Sequence, residues 1–282
     1  MTEVLPQSCL TVVAVGLEFP ESPRWHDGAL YFSDMFGLRV CRLAGDGGVQ
    51  HLVEVPNRPS GLGWLPDSRL LIVSMEDNQI LAYDGDEMFG WSDLSSLVAG
   101  SSNDMVVDQY GRAYVGATGY DPWVGESIKP GILALVDEDG SVRVVADDVG
   151  TPNGLAISSD GARLVVAETH RDQLVSFRIG SDGSLDDRQV FAALPGGPDG
   201  LCLDDEGAVW VAIPVLQEVL RVRPGGEVTH KLEVGATVVA CMLGGEDGRT
   251  LYVCCGDPDF TRLIGAGQVL STRVPVPHAG LP

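Results

Sequence analysis

Residues 153–166 read NGLAISSDGARLVV: a short apolar run, an Asp-Gly turn and a second apolar run. The same plan recurs five more times, as ESPRWHDGALYF from Glu21, SGLGWLPDSRLLI from Ser60, NDMVVDQYGRAYV from Asn103, DGLCLDDEGAVWV from Asp199 and ACMLGGEDGRTLYV from Ala240. Set in register on their turns, the copies return roughly every 40 to 50 residues, the period of a propeller blade with four strands. Alternating Val, Leu and Ile bounded by Gly, Pro, Asp and Asn is a strand-and-turn signature, and no long helical periodicity competes with it. Further short strands are expected at 39–43, 80–83, 132–136, 174–179, 218–222 and 268–273. A sandwich of short strands also turns at close intervals. Six copies in register favour an all-β, six-bladed β-propeller, four antiparallel strands per blade, as one domain over residues 1–282.

A propeller must close its ring, because an open last blade leaves an unpaired edge. The sixth copy supplies only three strands, near 239–243, 250–255 and 267–274. The apolar run Leu10 to Val15, ahead of the first copy, is the expected fourth.

The 282 residues carry 40 Asp+Glu against 18 Lys+Arg, a net charge of −22. Such a field repels nucleic acid and anionic membrane surfaces, so neither is an expected partner. With 44% hydrophobic residues the chain can bury a sizeable core. No run of about 18 apolar residues occurs, and the first residues lack the basic and apolar stretches of a signal peptide. A cytoplasmic protein, monomeric or weakly oligomeric, is expected. The six cysteines form no CxxC pair and four lie in apolar runs, so they read as small buried hydrophobes rather than a disulfide framework.

One residue precedes the first strand of each copy at a fixed offset: Glu21, Ser60, Asn103, Asn153, Asp199 and Ala240. The first strand of a propeller blade lies innermost, so these positions converge on the central channel. Asn and Asp often start strands through local turns. Two carboxylates crowded on one axis repel, however, unless a cation offsets them. Two carboxylates with two amide oxygens balance one divalent ion. All-oxygen ligation suits a hard cation, Ca²⁺ first, with Mg²⁺ and Mn²⁺ next. Zn²⁺ or Fe²⁺ remain alternatives, although no His falls at these positions.

The segments Phe19-Pro20-Glu21-Ser22-Pro23-Arg24-Trp25, Asn103-Asp104-Met105-Val106-Val107-Asp108, Pro152-Asn153-Gly154-Leu155 and Pro198-Asp199-Gly200-Leu201 together resemble the signature segments of the senescence marker protein/gluconolactonase/luciferin-regenerating family. The resemblance extends from about residue 15 to 275 and implies a six-bladed propeller with a divalent metal in its channel that hydrolyses lactones. It further implies Glu21, Asn153 and Asp199 as metal ligands, Asn103 beside them touching metal or substrate, and Asp199 as general base or nucleophile. Asp104 is a second acid at the channel, either catalytic or an acceptor behind the site. No G-x-S-x-G elbow, H-E-x-x-H or P-loop offers another hydrolase chemistry. A phosphotriesterase of the diisopropylfluorophosphatase type, similar in fold and ligand set, and a non-catalytic small-molecule-binding propeller remain as alternatives.

Adjacent antiparallel strands bring the start of the first and the end of the second to one rim. That rim should hold Asp34-Met35-Phe36, Met75-Glu76, the loop 118–131 with Tyr120 and Trp123, Glu168-Thr169-His170, Pro214 and Gly256-Asp257. The loop is long enough for a lid, or it packs its aromatics on the blade. Phe36, Tyr120, Trp123, His170, Ser101 and Asn103 are the candidate substrate contacts. Sugar-lactone hydrolases of the family usually carry an Arg where this chain has Ser101, and an acidic residue near Ala117–Asp121. Without the Arg, and with Met, Phe, Tyr and Trp at the rim, the expected substrate is a lactone or ester less polar than an aldonolactone.

Overall fold

The computed structural model describes residues 2–43, 47–121, 124–262 and 264–279. Six sheets of antiparallel strands form the blades of a β-propeller. Their innermost strands are Pro20–His26, Pro59–Trp64, Ser102–Val107, Pro152–Ile157, Leu201–Leu203 and Thr237–Gly244. The first blade runs outward through Ala29–Asp34 and Arg39–Leu43 to Val49–Glu54, and the others follow the same order. All six expected third strands are present, within one residue of the expected limits.

The ring closes as expected. Thr11–Leu17 pairs antiparallel with Gly267–Arg273 as the outer strand of the sixth blade. Ala14 and Leu17 bury their side chains in the largest core cluster, which joins the fifth, sixth and first blades. Sequence reading did not find Glu3–Leu5, which adds a fifth, parallel strand to the edge of blade five through Val228–Glu233. Three residues with one apolar position facing inward are too short a pattern to detect. Deleting residues 1–16 removes both strands and reopens an edge. The melting temperature is expected to fall by on the order of 10 °C, as calorimetry would show; an unchanged value would mean that the sixth blade stands without its outer strand.

Close approach of neighbouring inner strands explains the Gly that follows three of the channel positions. A Cβ on Gly154 would lie 2.6 Å from Leu201 N and 2.7 Å from Asp199 O, and one on Gly61 would lie 2.4 Å from Met105 N. Both are backbone contacts, so neither can yield by a rotamer change. Gly154→Ala should therefore cost roughly 1–3 kcal/mol in urea unfolding, whereas a loss below about 0.5 kcal/mol would show slack between the strands.

Much of the acid excess sits in the turns. Asp67, Asp108, Asp160, Asp204 and Asp247 each accept a backbone N–H two residues on, the local Asx geometry that makes Asp a turn residue. The cysteines among the described residues are free thiols, all buried except Cys9. No helix of the described residues is long and apolar enough to cross a membrane.

Candidate functional site

The inner strands aim their channel residues by a repeated irregularity. Register shifts interrupt the first strand pair of five blades, between Glu21/Arg24, Pro59/Leu62, Ser102/Met105, Pro152/Leu155 and Val238/Ala240. A bulge bends its strand and redirects the side chain beside it, and here it lies at or beside the channel position each time. In the first blade, Ser22 takes up the distortion at φ 47°, and its N–H donates to Glu21 Oε2 at 2.8 Å.

Four matching backbone hydrogen bonds then join the start of each first strand to the end of the second: Met35 N to Phe19 O, Met75 N to Arg58 O, Thr118 N to Ser101 O and Thr169 N to Thr151 O. They build the expected rim. Within it, Glu21, Asn103, Asn153 and Asp199 all open onto one cavity of about 170 Å³. Phe19, Met35 and Met75 supply its apolar lining, and Ser101, Thr118, Tyr120 and Thr151 its hydroxyl-bearing lining. Larger surface grooves exist, such as one of about 390 Å³ between blades four and five, but the four channel donors share this one.

Glu21 is buried and Asp199 half-buried. Among the described residues neither carboxylate has an ion-pair partner. Burial and the facing Asp199 push the Glu21 carboxyl well above the usual carboxylate range. Burial raises Asp199 as well, against a lowering hydrogen bond from Asn153, and Asp104 adds to the rise. Asn103 Oδ1 accepts from Ser60 Oγ at 3.2 Å, which orients the amide at the cavity wall. No three His, Cys, Asp or Glu side chains of the described residues come together as a metal cage, so amide oxygens must complete any ligand set. Two carboxylates without an ion-pair partner among the described residues, flanked by two amides, fit a hard divalent cation in donor type and in charge.

Carboxyls raised in the fold keep protons that the unfolded chain has released, so they cost stability as pH rises from about 4 through their raised values. Comparing metal-stripped wild type with Glu21→Gln/Asp199→Asn isolates the effect. His26 and His230, both lowered chiefly by burial, are common to the two proteins and cancel. Between pH 5 and 8 the wild type should lose roughly 1 kcal/mol or more relative to the variant; parallel stability curves in urea would show that the carboxyls are not strained.

Asp104 lies beside the site rather than in its lining. Its Oδ1 accepts from Arg24 Nη2 at 2.6 Å and from Met105 N at 2.9 Å, with both side chains of the ion pair almost fully buried. The carboxylate is thus committed to Arg24, a partner that the sequence did not suggest. Phe36 likewise stands behind the wall, edge-on to Phe19 at 5.7 Å and beneath the Arg58 guanidinium; its neighbour Met35 reaches the cavity. Ser101 and Tyr120 line the cavity, and exposed His170 touches it only through Thr151 and Tyr120. Trp123 lies outside the described residues. Phe19 and Thr151 were missed as lining, although they stand two residues before Glu21 and Asn153 as Ser101 does before Asn103.

A six-bladed propeller that gathers carboxylates and amides at one end of its channel defines a class that handles small molecules inside the ring. The chain belongs to the SMP-30/gluconolactonase/LRE-like family, whose model matches residues 19–256. It is 31% identical to a 6-deoxy-6-sulfogluconolactonase of Pseudomonas putida over 93% of each chain. It is 26% identical to a pentonolactonase of Haloferax volcanii, covering 91% of this chain and 88% of the relative. Among solved structures it superposes on a calcium-binding regucalcin of Agrobacterium tumefaciens with a TM-score of 0.84, at 21% identity over 100% of this chain and 99% of that one.

Proposed function

We propose that the protein is a metal-dependent hydrolase that opens a lactone in the channel cavity. The observation that carries this reading is the pair of carboxylates, buried Glu21 and half-buried Asp199, facing one cavity with no ion-pair partner on either among the described residues. Family membership and the lactonases among the relatives support the reaction class. Glu21, Asn153 and Asp199 would hold the cation, with Ca²⁺ the first expectation. When bound, such an ion supplies Lewis-acid polarisation of the lactone carbonyl.

The chain's own residues divide the remaining work. Asp199 accepts a proton from the attacking water, as the less buried of the two carboxylates that line the cavity. The hydrogen bond between Asn153 and Asp199 fixes the direction of that carboxylate. Asn103, its oxygen engaged by Ser60, turns its amide N–H towards the substrate. Arg24 and Asp104 form the charged support behind these groups. The Met- and Phe-bearing side of the cavity suits a lactone less polar than an aldonolactone.

A panel of neutral aliphatic lactones, aldonolactones and an organophosphate triester, assayed with and without EDTA, tests the reading. Turnover of the aliphatic lactones that EDTA removes and divalent cation restores is expected. Turnover of the triester alone, or lactone opening indifferent to EDTA, would overturn it.

A further inference from the structure

The cavity has two chemically different sides. Phe19, Met35 and Met75 present carbon and sulfur from the first two blades, whereas Ser101, Tyr120 and Thr151 present hydroxyls from the third and fourth. Ser101 is only 8% exposed, and its hydroxyl has no hydrogen-bond partner among the described residues. Thr118 is already spent: its Oγ1 accepts from Ser101 N and donates to Tyr120 O. That pair of bonds locks the backbone carrying both Ser101 and Tyr120.

Tyr120, Thr151 and His170 form a small network on this side. His170 Nδ1 lies 2.7 Å from Thr151 Oγ1. The Tyr120 hydroxyl is 3.3 Å from His170 Nδ1 and 3.4 Å from Thr151 Oγ1. The first contact is short and the other two sit at the weak end of hydrogen bonding. The phenol is therefore held in place by two long contacts, and is poised to exchange them for a shorter one with a ligand. Thr151 occupies φ 58°, a left-handed conformation that a β-branched residue avoids. Such strain collects where a side chain must be held for function, and here it holds the Thr151 hydroxyl between imidazole and phenol.

Charge narrows the ligand further. Around the site Arg24 is paired with Asp104, Arg58 with Glu76, and Arg171 with Glu168 and Asp148. Lys129 is exposed on the loop and is not part of the lining. No cationic side chain lines the cavity among the described residues, so the sulfonate of a substrate such as that in the Pseudomonas relative's name would meet no counter-charge on this wall.

We propose that Ser101 and Tyr120 form the specificity wall of the site, donating hydrogen bonds to a ring hydroxyl of a neutral lactone whose apolar substituent rests on Phe19, Met35 and Met75. Thr151 and His170 position the Tyr120 phenol. This assignment rests on the lactonase reading and names its substrate class: a neutral lactone, apolar on one side and oxygenated on the other.

The test compares two neutral alkyl-substituted γ-lactones that differ by one ring hydroxyl, and a third that carries a sulfonate. Wild type should prefer the hydroxylated neutral lactone. Tyr120→Phe and Ser101→Ala should each raise KM for it about tenfold with kcat little changed, and leave the lactone without the hydroxyl nearly unaffected. Thr151→Val and His170→Gln should shift the same ratio in the same direction, while Thr151→Ser retains the wild-type ratio. His170 is exposed, so His170→Gln carries the comparison if a cavity variant fails to fold. An unchanged ratio in folded Tyr120→Phe and Ser101→Ala, or preferred turnover of the sulfonated lactone, overturns the wall. A wild type that opens none of the three overturns the lactonase reading itself.

Discussion

Asp199→Asn is expected to lower kcat/KM for lactone opening by on the order of 10³-fold while leaving the fold intact and the metal-stripped protein more stable. The substitution keeps the size of the side chain and the acceptor oxygen that Asn153 faces, so packing is preserved. It removes one of the two negative charges needed to balance a divalent cation, and the proton acceptor with it. Relief of burial and of repulsion by Glu21 and Asp104 makes the same change favourable for stability, the trade expected where a site is built from strained groups. Glu21→Gln should weaken activity through the charge balance alone, so a smaller loss there than at Asp199 would separate cation holding from proton transfer. Equal activity in Asp199→Asn and wild type, measured on folded protein, would remove Asp199 from the chemistry.

Arg24→Met is expected to cost roughly 3–5 kcal/mol, the largest single loss of stability in the account. Arg24 is 2% exposed and its guanidinium bonds Asp104 Oδ1 and Met105 O at 2.6 Å and Pro23 O at 2.9 Å. These contacts tie the inner strand of the first blade to that of the third, across the second. Without the guanidinium, the Asp104 carboxylate is left buried and unpaired beside two other acids. Asp104→Asn added to Arg24→Met should recover part of the loss, because the stranded charge is removed. Urea unfolding of the single and double variants decides the matter. A cost below about 1 kcal/mol for Arg24→Met would place the pair in a wetter setting than its burial indicates.

The parts of this molecule that were legible in the sequence are those that repeat. Six turn-centred copies define six blades, and the residue ahead of each first strand can be read without a structure because the offset is constant. Glu21, Asn103, Asn153 and Asp199 share one cavity for that reason. Ser101 came from the place of an Arg in the resembled family, and the same step of two residues back in the first and fourth copies reaches Phe19 and Thr151.

What stayed hidden depends on contacts between blades, which no repeat encodes. Nothing in Asn103-Asp104-Met105 announces that Asp104 meets Arg24 from two blades away, so a catalytic acid and an acceptor behind the site were both open readings. Phe36 was singled out for its type, but the strand end turns it onto Phe19 and gives the cavity to Met35. The short strand Glu3–Leu5 is set by an open edge of the fifth blade rather than by a pattern of its own. The proposed preference for a neutral substrate likewise rests on contacts visible only in three dimensions, namely where each arginine finds its carboxylate.

The central claim is that Glu21, Asn153 and Asp199 hold one divalent cation in the channel. Elemental analysis of the purified wild type beside Glu21→Gln/Asp199→Asn, each after dialysis against trace metals, addresses it most directly. About one equivalent of divalent metal in the wild type, lost in the variant together with lactone opening, is the predicted result. A wild type that is free of metal after dialysis and still opens lactones at full rate in EDTA would contradict it.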